Sequence, residues 1–501
     1  MKQPLNNFFL KDPSKWQFWM LLALFFKALI FVFLIAKHDF NTIPGFWGAT
    51  GGDTESYLRP IDNFLAKSGY TPDNRMPGYG LIYLPFAFFF SKSAACNLII
   101  LLQFVASVLS VYPLALISKC LFKSSTLFYI TFYLYTISTY TNLFDSILLT
   151  ESFSTSFLIL SVFFFIKALY INTKRLLHLF FSGLLLTETI FLRPVFFPLL
   201  LLFSVILIVY FIKSELKNVI IYSLFIFFMP FFVFEGLWIT RNYAAYKKIL
   251  PATPSILSPE IKGSYLEPLN TFVQSWGGNF VWWDPTAEIR WFGIQKKWQE
   301  GQPTTQNTSV KIPDNIYTSK FNYDSLIVLR DEISLYSSNG ASTTPDTTES
   351  RVLLATIRNK CYLYANSIKQ EKPFLYYIKA PLILTKKFLI HSGTYNLFSR
   401  PADKLSTPAY IINLFYSVLY LLILSAGAIG ILLLRKNFKF QPPLLVSGIV
   451  IYTIIIHPIV LRFCEMRYFV PAYPFMLICA AYTINFIIIK AFTRRNPIDQ
   501  C

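Results

Sequence analysis

Charged side chains are scarce in this chain. Asp, Glu, Lys and Arg together make up 14% of its 501 residues, whereas hydrophobic residues make up 54% and aromatic residues 18%. A soluble globular domain carries about 25% charged residues, and disordered chains are poor in aromatic residues. With 52 Phe, 30 Tyr and a mean hydropathy of +0.48, the sequence excludes both classes and predicts a membrane protein.

Glycine-rich loops and cysteine pairs are also missing. The chain has only 19 Gly and no GxGxxG or GxxxxGK[ST] run, so it gives no basis for a nucleotide-binding domain. Its six Cys form no CxxC pair, and no two of its four His share a metal-ligand spacing. We therefore expect neither a disulfide framework nor a zinc site.

Long apolar runs are the dominant feature of the sequence. A spanning helix needs about 20 mostly apolar residues. This rule predicts ten spans, near residues 17–37, 97–118, 125–140, 146–170, 176–192, 194–212, 218–238, 408–434, 442–461 and 468–490. Segment 78–92 is shorter and contains Pro85, so we expect a helix on the membrane surface there, and likewise at 374–390, where three Lys interrupt the apolar run.

The basic residues predict the orientation of these spans. Short loops on one side hold fifteen Lys and Arg, whereas those on the other side hold only Arg193, Arg462 and Arg467. By the positive-inside rule the basic side is cytoplasmic. We therefore predict a multi-pass protein of the cell (inner, cytoplasmic) membrane with both termini in the cytoplasm. The net charge of +19 reflects these loops, and no nucleic-acid partner is predicted.

The predicted fold class is a polytopic α-helical membrane protein. We expect residues 1–238 to form a seven-helix core that includes an external loop at 38–96. Residues 239–407 are expected to form an external α+β or mixed domain, and residues 408–501 to add the C-terminal spans and a cytoplasmic tail.

Acidic residues at the external ends of spans are the first candidates for chemistry. Ionisable groups near membrane depth are costly unless they face a cavity or a partner. Asp53 in GGDTESYL is the leading candidate for a general base, with a helix N-cap as an equal alternative. TNLFDSILLTES offers Asp145 and Glu151 as further acids. Two acids from the separate loops could share a metal or bracket a nucleophile; a cap and a solvated position are the alternative, which is equally good for Asp145.

Arginines approach the same side of the membrane. They are Arg75, Arg193, Arg241, Arg462 and Arg467. Guanidinium groups suit phosphate oxygens, so this set predicts a phospholipid-linked ligand, whereas snorkelling to headgroups would explain any single member. Lys27 lies in the middle of the first span, and we expect it to form a buried pair or to line a water-filled face rather than to take part in catalysis.

The blocks that hold these residues resemble the GT-C superfamily of polyprenyl-phosphate-sugar-dependent glycosyltransferases, which includes protein O-mannosyltransferases and the lipid A aminoarabinose transferase. The blocks are GGDTESYL with RMPGYG downstream, LTESFSTSFLIL, the RP and RNY arginines, and EMRYFVPAYPF. The likeness covers about residues 17–245 and 442–490 and implies a GT-C type of helical core.

The resemblance implies roles for individual residues. Asp53 matches the first-loop base and Glu151 the second-loop acid, with Asp145 as an alternate. Arg241 and Arg467 match phosphate-contacting positions. Together with the arginines named above and a neighbouring tyrosine, the candidates for donor and phosphate binding are Arg75, Arg193, Arg241, Arg462, Arg467 and Tyr468. The resemblance leaves a divalent metal, Mg²⁺ or Mn²⁺, open, with Asp53 and Glu151 to hold it. Protein mannosyltransferases have adjacent acids where this chain has Asp-Thr-Glu.

The sequence thus predicts an integral membrane glycosyltransferase. It would transfer a sugar, with inversion, from a polyprenyl-phosphate donor to a hydroxyl of a glycan, lipid or protein acceptor on the external face. Two other functions stay open: a transporter or flippase of lipid-linked saccharides, which predicts midplane charges and two related halves, and a non-catalytic membrane-anchored binding protein. The enzyme requires that the acids and arginines of distant segments converge in one pocket.

Overall fold

The computed structural model describes residues 16–37, 43–70, 75–171, 173–251, 264–278, 294–299, 302–307, 314–338, 348–394, 397, 405–438 and 441–495. The chain divides into two compact units. The first consists of Met1–Ser255, His391–Thr453 and Met466–Cys501, and the second of Ile256–Ile390 and Ile454–Glu465.

Helices make up most of the described chain. The first ten are α1 (Trp16–Lys37), α2 (Thr54–Leu65), α3 (Gly78–Phe89), α4 (Lys92–Phe122), α5 (Ser125–Thr136), α6 (Thr139–Asn142), α7 (Glu151–Tyr170), α8 (Arg175–Leu192), α9 (Leu199–Lys213) and α10 (Ile220–Tyr246). The second unit adds α11 (Leu266–Ser275), α12 (Tyr323–Ser338), α13 (Thr348–Glu371) and α14 (Ala380–Leu389). The last three are α15 (Thr407–Asn437), α16 (Pro443–Ile454) and α17 (Tyr473–Arg495).

Shorter elements connect these helices. The 3₁₀ turns are Leu143–Ser146, Pro194–Phe196, Lys217–Val219, Asp314–Ile316 and Met466–Phe469, and the π-helical segments are Leu375–Lys379 and Ile455–Leu461. The strands are β1 (Ala49–Thr50), β2 (Ile147–Leu148), β3 (Ile294–Gln299) and β4 (Gln302–Asn307).

Nine helices in the described part of the chain are long and apolar enough to cross a membrane. They are α1, α4, α7, α8, α9 with its preceding turn, α10, α15, α16 with its π-helical extension, and α17. This confirms the polytopic α-helical fold class. Segment 78–92 contains α3, whose 12 residues are too few to span a bilayer, as the sequence led us to expect.

The segment near 125–140 differs from the prediction of a span. It forms α5, which has 12 residues and therefore rises only about 18 Å, well short of the roughly 30 Å thickness of a bilayer core. The helix stops because Ser138 adopts an extended conformation, with ψ of 109°, before α6 begins. An apolar composition alone did not reveal this interruption.

Strands β1 and β2 join two loops of the first unit that are distant in sequence. They pair in parallel, with Ala49 opposite Ile147 and Thr50 opposite Leu148. The Oγ1 of Thr54 donates a hydrogen bond of 2.9 Å to the carbonyl oxygen of Leu148 and thereby extends the pairing into α2. The α1–α2 loop and the α6–α7 loop (residues 143–150) are thus fixed to each other.

This short sheet also sets the relative positions of two acids. Asp53 follows Thr50 by three residues, and Glu151 follows Leu148 by three residues. Because Thr50 and Leu148 are partners in a parallel pair, the two strands end on the same side, and both acids follow that end of the sheet.

The second unit has its own core. Buried apolar side chains of α11, α12 and α13 pack together, among them Phe272, Leu329 and Ile357. Strands β3 and β4 form an antiparallel hairpin in which Gln299 is opposite Gln302. The unit is therefore a small helical domain with one hairpin.

The close approach of β1 to the α6–α7 loop requires glycine at position 48. A Cβ at Gly48 would lie 2.5 Å from the carbonyl oxygen of Ser146, a distance that forces the backbone to move. We expect Gly48→Ala to lower the free energy of unfolding by about 1–3 kcal/mol, the usual effect of overpacking. Thermal unfolding of the purified protein in detergent measures this.

Gly236→Ala is the matched control for this variant. Gly236 lies in α10, and an added Cβ there would meet no atom within 4 Å. Equal melting temperatures for Gly48→Ala, Gly236→Ala and the unsubstituted protein would contradict the tight packing of β1 against the α6–α7 loop.

Candidate active site

Asp53 lies at the N-terminal end of α2, and its carboxylate faces two guanidinium groups. Its Oδ1 accepts a hydrogen bond from Nη2 of Arg75, and its Oδ2 lies 2.7 Å from Nη1 of Arg467. Asp53 occupies the N-cap position, yet its side chain makes no capping hydrogen bond. The residue therefore has the position of a cap, while its carboxylate is bound by arginines.

The first turn of α2 also contacts Arg75, the partner of Asp53. Nε of Arg75 donates to Oγ of Ser56 at 2.9 Å, and the guanidinium carbon lies 4.8 Å from the ring centroid of Tyr57. Ser56 and Tyr57 follow Asp53 by three and four residues, a spacing that places all three on one helix face. Ser56 and Tyr57 were not among the residues predicted from the sequence, although this helical spacing could have identified them.

Glu151 is the first residue of α7 and is 1% exposed. Its Oε1 lies 3.1 Å from Nη1 of Arg193 and 3.8 Å from Nε of Arg467. Its Oε2 is buried without a hydrogen-bond partner among the described residues. Arg467 therefore contacts both acids, and its guanidinium group joins Asp53 to Glu151.

The ring of Tyr468 completes the site. It lies 5.0 Å from the guanidinium carbon of Arg193 and 5.3 Å from that of Arg467, within the range of cation–π attraction. The acid–arginine cluster consists of Asp53, Arg75, Glu151, Arg193, Arg467 and Tyr468. Three guanidinium groups against two carboxylates give it a formal charge of +1.

The cluster lies where apolar helices end. Glu151 begins α7, Arg193 follows the last residue of α8, and Arg467 lies in the 3₁₀ turn before α17. All three helices are membrane-spanning by length and composition. Two helix N-termini, those of α2 and α7, also meet the cluster and add positive potential. The site therefore combines a membrane boundary with an excess of positive charge.

The pKa of Asp53 is lower than that of an ordinary aspartate. Burial alone would raise this pKa, but the positive charges of Arg467 and Arg75 more than offset the effect of burial. The carboxylate is therefore ionised throughout the physiological pH range, so Asp53 is able to accept a proton.

The donor atoms of the cluster do not fit a divalent cation. Mg²⁺ and Mn²⁺ require several oxygen ligands directed at one point. Both carboxylate oxygens of Asp53 and one of Glu151 face guanidinium groups instead. Within the described ranges, no three His, Cys, Asp or Glu side chains come together in a metal-binding arrangement. The geometry of the cluster therefore does not match the Mg²⁺ or Mn²⁺ site that the resemblance left open.

Arg241 lies at the end of α10 among aromatic rings. Its Nη2 donates a hydrogen bond of 2.7 Å to the carbonyl oxygen of Tyr70, and its guanidinium carbon lies between 5.1 and 5.6 Å from the rings of Tyr70, Trp238 and Tyr246. These contacts hold Arg241 outside the acid–arginine cluster.

Arg462 belongs to the second unit. Its Nη1 donates to the carbonyl oxygen of Gln274 at 3.0 Å, and its Nη2 donates to that of Tyr376 at 2.9 Å. The Tyr376 ring centroid lies 3.9 Å from the guanidinium carbon. The arginine thus links α11 to the π-helical segment Leu375–Lys379 of this unit.

The remaining acids also have other partners. Asp145 is 2% exposed; its Oδ1 accepts from Oγ of Ser152 at 2.6 Å, and its Oδ2 lies 3.7 Å from Nζ of Lys27. Glu55 is exposed and pairs with Lys92 at 3.3 Å. The acid two residues after Asp53 therefore faces away from the cluster, and Asp145 forms the buried pair that was one expectation for Lys27.

Comparisons with known proteins found similarity to solved structures. No family model and no curated protein sequence matches the chain. The chain is similar to the oligosaccharyltransferase AglB of Archaeoglobus fulgidus in complex with an inhibitory peptide and a dolichol-phosphate, with 13% identity and a TM-score of 0.46 over 96% of this chain and 52% of that one.

Two further structures of the Archaeoglobus fulgidus oligosaccharyltransferase are also similar. The apo form has 12% identity and a TM-score of 0.42, with 96% of this chain and 52% of that one covered. The form tethered to an acceptor peptide with the NVT sequon has 11% identity and a TM-score of 0.45, with 97% and 52% covered. The chain spans about half the length of these structures.

The lowered pKa of Asp53 predicts how the stability of the protein depends on pH. A carboxyl whose folded pKa lies below its ordinary value of 3.8 contributes stability that is present above that value and is lost as the pH falls through the folded pKa. We expect unsubstituted protein to be more stable than Asp53→Asn at pH 5 to 7, and this difference to shrink from about pH 4 downward.

Denaturant unfolding of both proteins in detergent, from pH 3 to pH 7, measures this difference directly. Taking the difference removes the contribution of the other carboxyl groups, which titrate in both proteins. A difference that does not change between pH 3 and pH 7 would contradict the ion pairing of Asp53 with Arg75 and Arg467.

Proposed function

We propose that the protein is an integral membrane glycosyltransferase that uses a polyprenyl-phosphate-linked sugar as donor and a hydroxyl group as acceptor. The observation that supports this most is the acid–arginine cluster, which carries a net positive charge at the ends of three apolar helices. An anionic lipid phosphate satisfies both conditions at once, because its tail partitions into the membrane and its phosphate requires cations.

The distribution of basic residues supports the orientation of this site. The short loops at the opposite ends of these helices hold the excess of Lys and Arg, which the positive-inside rule places in the cytoplasm. We propose that the cluster faces the exterior and that both termini are cytoplasmic. This arrangement requires residues 125–150 to return the chain across the membrane as a tenth, interrupted crossing, and the pairing of β2 with β1 after that segment supports it. We also propose that residues 239–407 form an external domain. Sugars on this side need a lipid carrier, because nucleotide sugars are made in the cytoplasm.

Three guanidinium groups stabilise the leaving group in this scheme. As the bond between the anomeric carbon and the phosphate oxygen breaks, negative charge grows on the phosphate. Arg75, Arg193 and Arg467 hold fixed positive charge beside it, and removing one such group typically costs roughly 3–4 kcal/mol of transition-state stabilisation. The polyprenyl phosphate leaves with both electrons of the broken bond.

Asp53 is the proposed base. Its ionised carboxylate receives the proton of the acceptor hydroxyl as the new bond from the acceptor oxygen to the anomeric carbon forms. Because the pKa of Asp53 is low, the proton moves only once bond formation has made the hydroxyl acidic. A single displacement from the face opposite the phosphate inverts the configuration of the anomeric carbon.

Glu151 has a different role from Asp53 in this proposal. Its Oε1 contacts both Arg193 and Arg467, so it keeps the two guanidinium groups together despite their mutual repulsion. The second acid thus acts on the phosphate indirectly, through the arginines that it orients.

Replacement of Asp53 tests the proposed function. Asp53→Asn keeps the size of the side chain but removes the base, and we expect turnover to fall by a factor on the order of 10²–10⁴. The assay is transfer of a labelled sugar from a polyprenyl-phosphate donor by purified protein, with cell-envelope extract as the source of acceptors.

Glu55→Gln is the matched control, since Glu55 lies two residues away, is exposed and pairs with Lys92. We expect it to retain the turnover of the unsubstituted protein. Full turnover by a folded Asp53→Asn variant would remove the base from the scheme, and flux of the intact donor across vesicles without any transfer product would favour a flippase.

A further inference from the structure

Lys27 is a fully buried cation in the middle of a membrane-spanning helix. It is 1% exposed, and its Nζ donates hydrogen bonds of 2.6 Å to Oγ of Ser107 and 2.6 Å to Oδ1 of Asn142. The same nitrogen lies 3.7 Å from Oδ2 of Asp145 and 4.8 Å from the ring centroid of Tyr135. A charge at such a place is costly unless its partners compensate it.

Two of these partners bracket the start of the α6–α7 loop. Asn142 ends α6, and its Nδ2 also donates to the carbonyl oxygen of Thr136 at 3.0 Å. Asp145 lies in the 3₁₀ turn that follows and accepts a hydrogen bond from Ser152, the residue next to Glu151. A continuous polar chain thus runs from α1 through the loop to the first turn of α7.

We propose that Lys27 is a positioning residue for the active site. By holding Asn142 and Asp145, it fixes the α6–α7 loop and thereby sets Glu151 against Arg193 and Arg467. The consequence for turnover rests on the proposed glycosyltransferase function, whereas the consequence for the loop does not.

A second side chain holds the same loop from α4. Nε2 of Gln103 lies within 3.3 Å of the carbonyl oxygens of Phe144, Asp145 and Ile147, and its Oε1 accepts a hydrogen bond from Tyr79. Because Gln103 remains when Lys27 is replaced, the loop should loosen without unfolding. Loss of Lys27 is therefore expected to change the geometry of the site rather than to abolish the fold.

Three variants separate positioning from simple stabilisation. Lys27→Met keeps the length of the side chain but leaves Asp145 as a buried charge without its cation. Asp145→Asn keeps an acceptor for Ser152 and leaves Lys27 without its anion. The double variant Lys27→Met/Asp145→Asn removes both charges, and replacing both members of a buried pair is often close to neutral for stability.

Hydrogen exchange of the backbone amides in residues 143–150 measures the loop directly. In Lys27→Met and in the double variant, we expect these amides to exchange on the order of tenfold faster, the loss that corresponds to a missing hydrogen bond. The melting temperature should fall in each single variant and recover in the double variant. Unchanged exchange in Lys27→Met would overturn the proposal that Lys27 holds the α6–α7 loop in place.

Transfer kinetics then test the effect on the site. In the double variant we expect kcat to fall on the order of tenfold, with KM for the donor unchanged, because the fold is stable but Glu151 is no longer held in place. A double variant with the kcat of the unsubstituted protein would overturn the positioning role. If the unsubstituted protein transfers no sugar, the proposed function fails. Hydrogen exchange alone then still tests whether Lys27 holds the α6–α7 loop in place.

Discussion

The constraint on which the rest of the structure depends is the contact of one guanidinium group, that of Arg467, with carboxylates from two distant loops. Asp53 at the start of α2 and Glu151 at the start of the apolar helix α7 are largely buried, and an uncompensated buried charge is strongly destabilising. Each acid needs a cation, and Arg467 serves both. Asp53 also pairs with Arg75 and Glu151 with Arg193, so Arg467 links two acid–arginine pairs that come from separate loops.

Backbone and side-chain hydrogen bonds make this convergence possible. The β1–β2 pair joins the two loops, Gln103 satisfies carbonyl groups of the α6–α7 loop, and Lys27 compensates the charge of Asp145. These groups carry no proposed chemistry, but without them the loops would expose unpaired polar groups next to the membrane. These contacts therefore fix the positions of the two loops relative to each other.

The sequence predicted the members of the cluster better than it predicted their partners. The positions of Asp53, Glu151 and the arginines at 75, 193 and 467 near the ends of apolar runs made them candidates, because a charge near the membrane is costly unless it faces a partner or a cavity. The sequence alone could not distinguish these arginines from Arg241, which donates a hydrogen bond to Tyr70, 171 residues away. Which cation meets which acid depends on such long-range contacts, and composition does not encode them.

The same limit explains the other differences. Segment 125–140 is apolar enough for a span, but a single extended residue divides it into α5 and α6. Asp145 and Glu151 lie six residues apart and looked equivalent in sequence. Only the packing of α1 against the α6–α7 loop shows that Lys27 neutralises one of them, while Arg193 and Arg467 contact the other.

A double-mutant cycle between Asp53 and Arg467 tests the central claim most directly. The free energy of unfolding is measured for the unsubstituted protein, Asp53→Asn, Arg467→Gln and the double variant at pH 7. Direct ion pairing predicts a coupling of about 1 kcal/mol or more between the two sites, whereas effects that add to within about 0.3 kcal/mol would contradict the contact that joins the two loops.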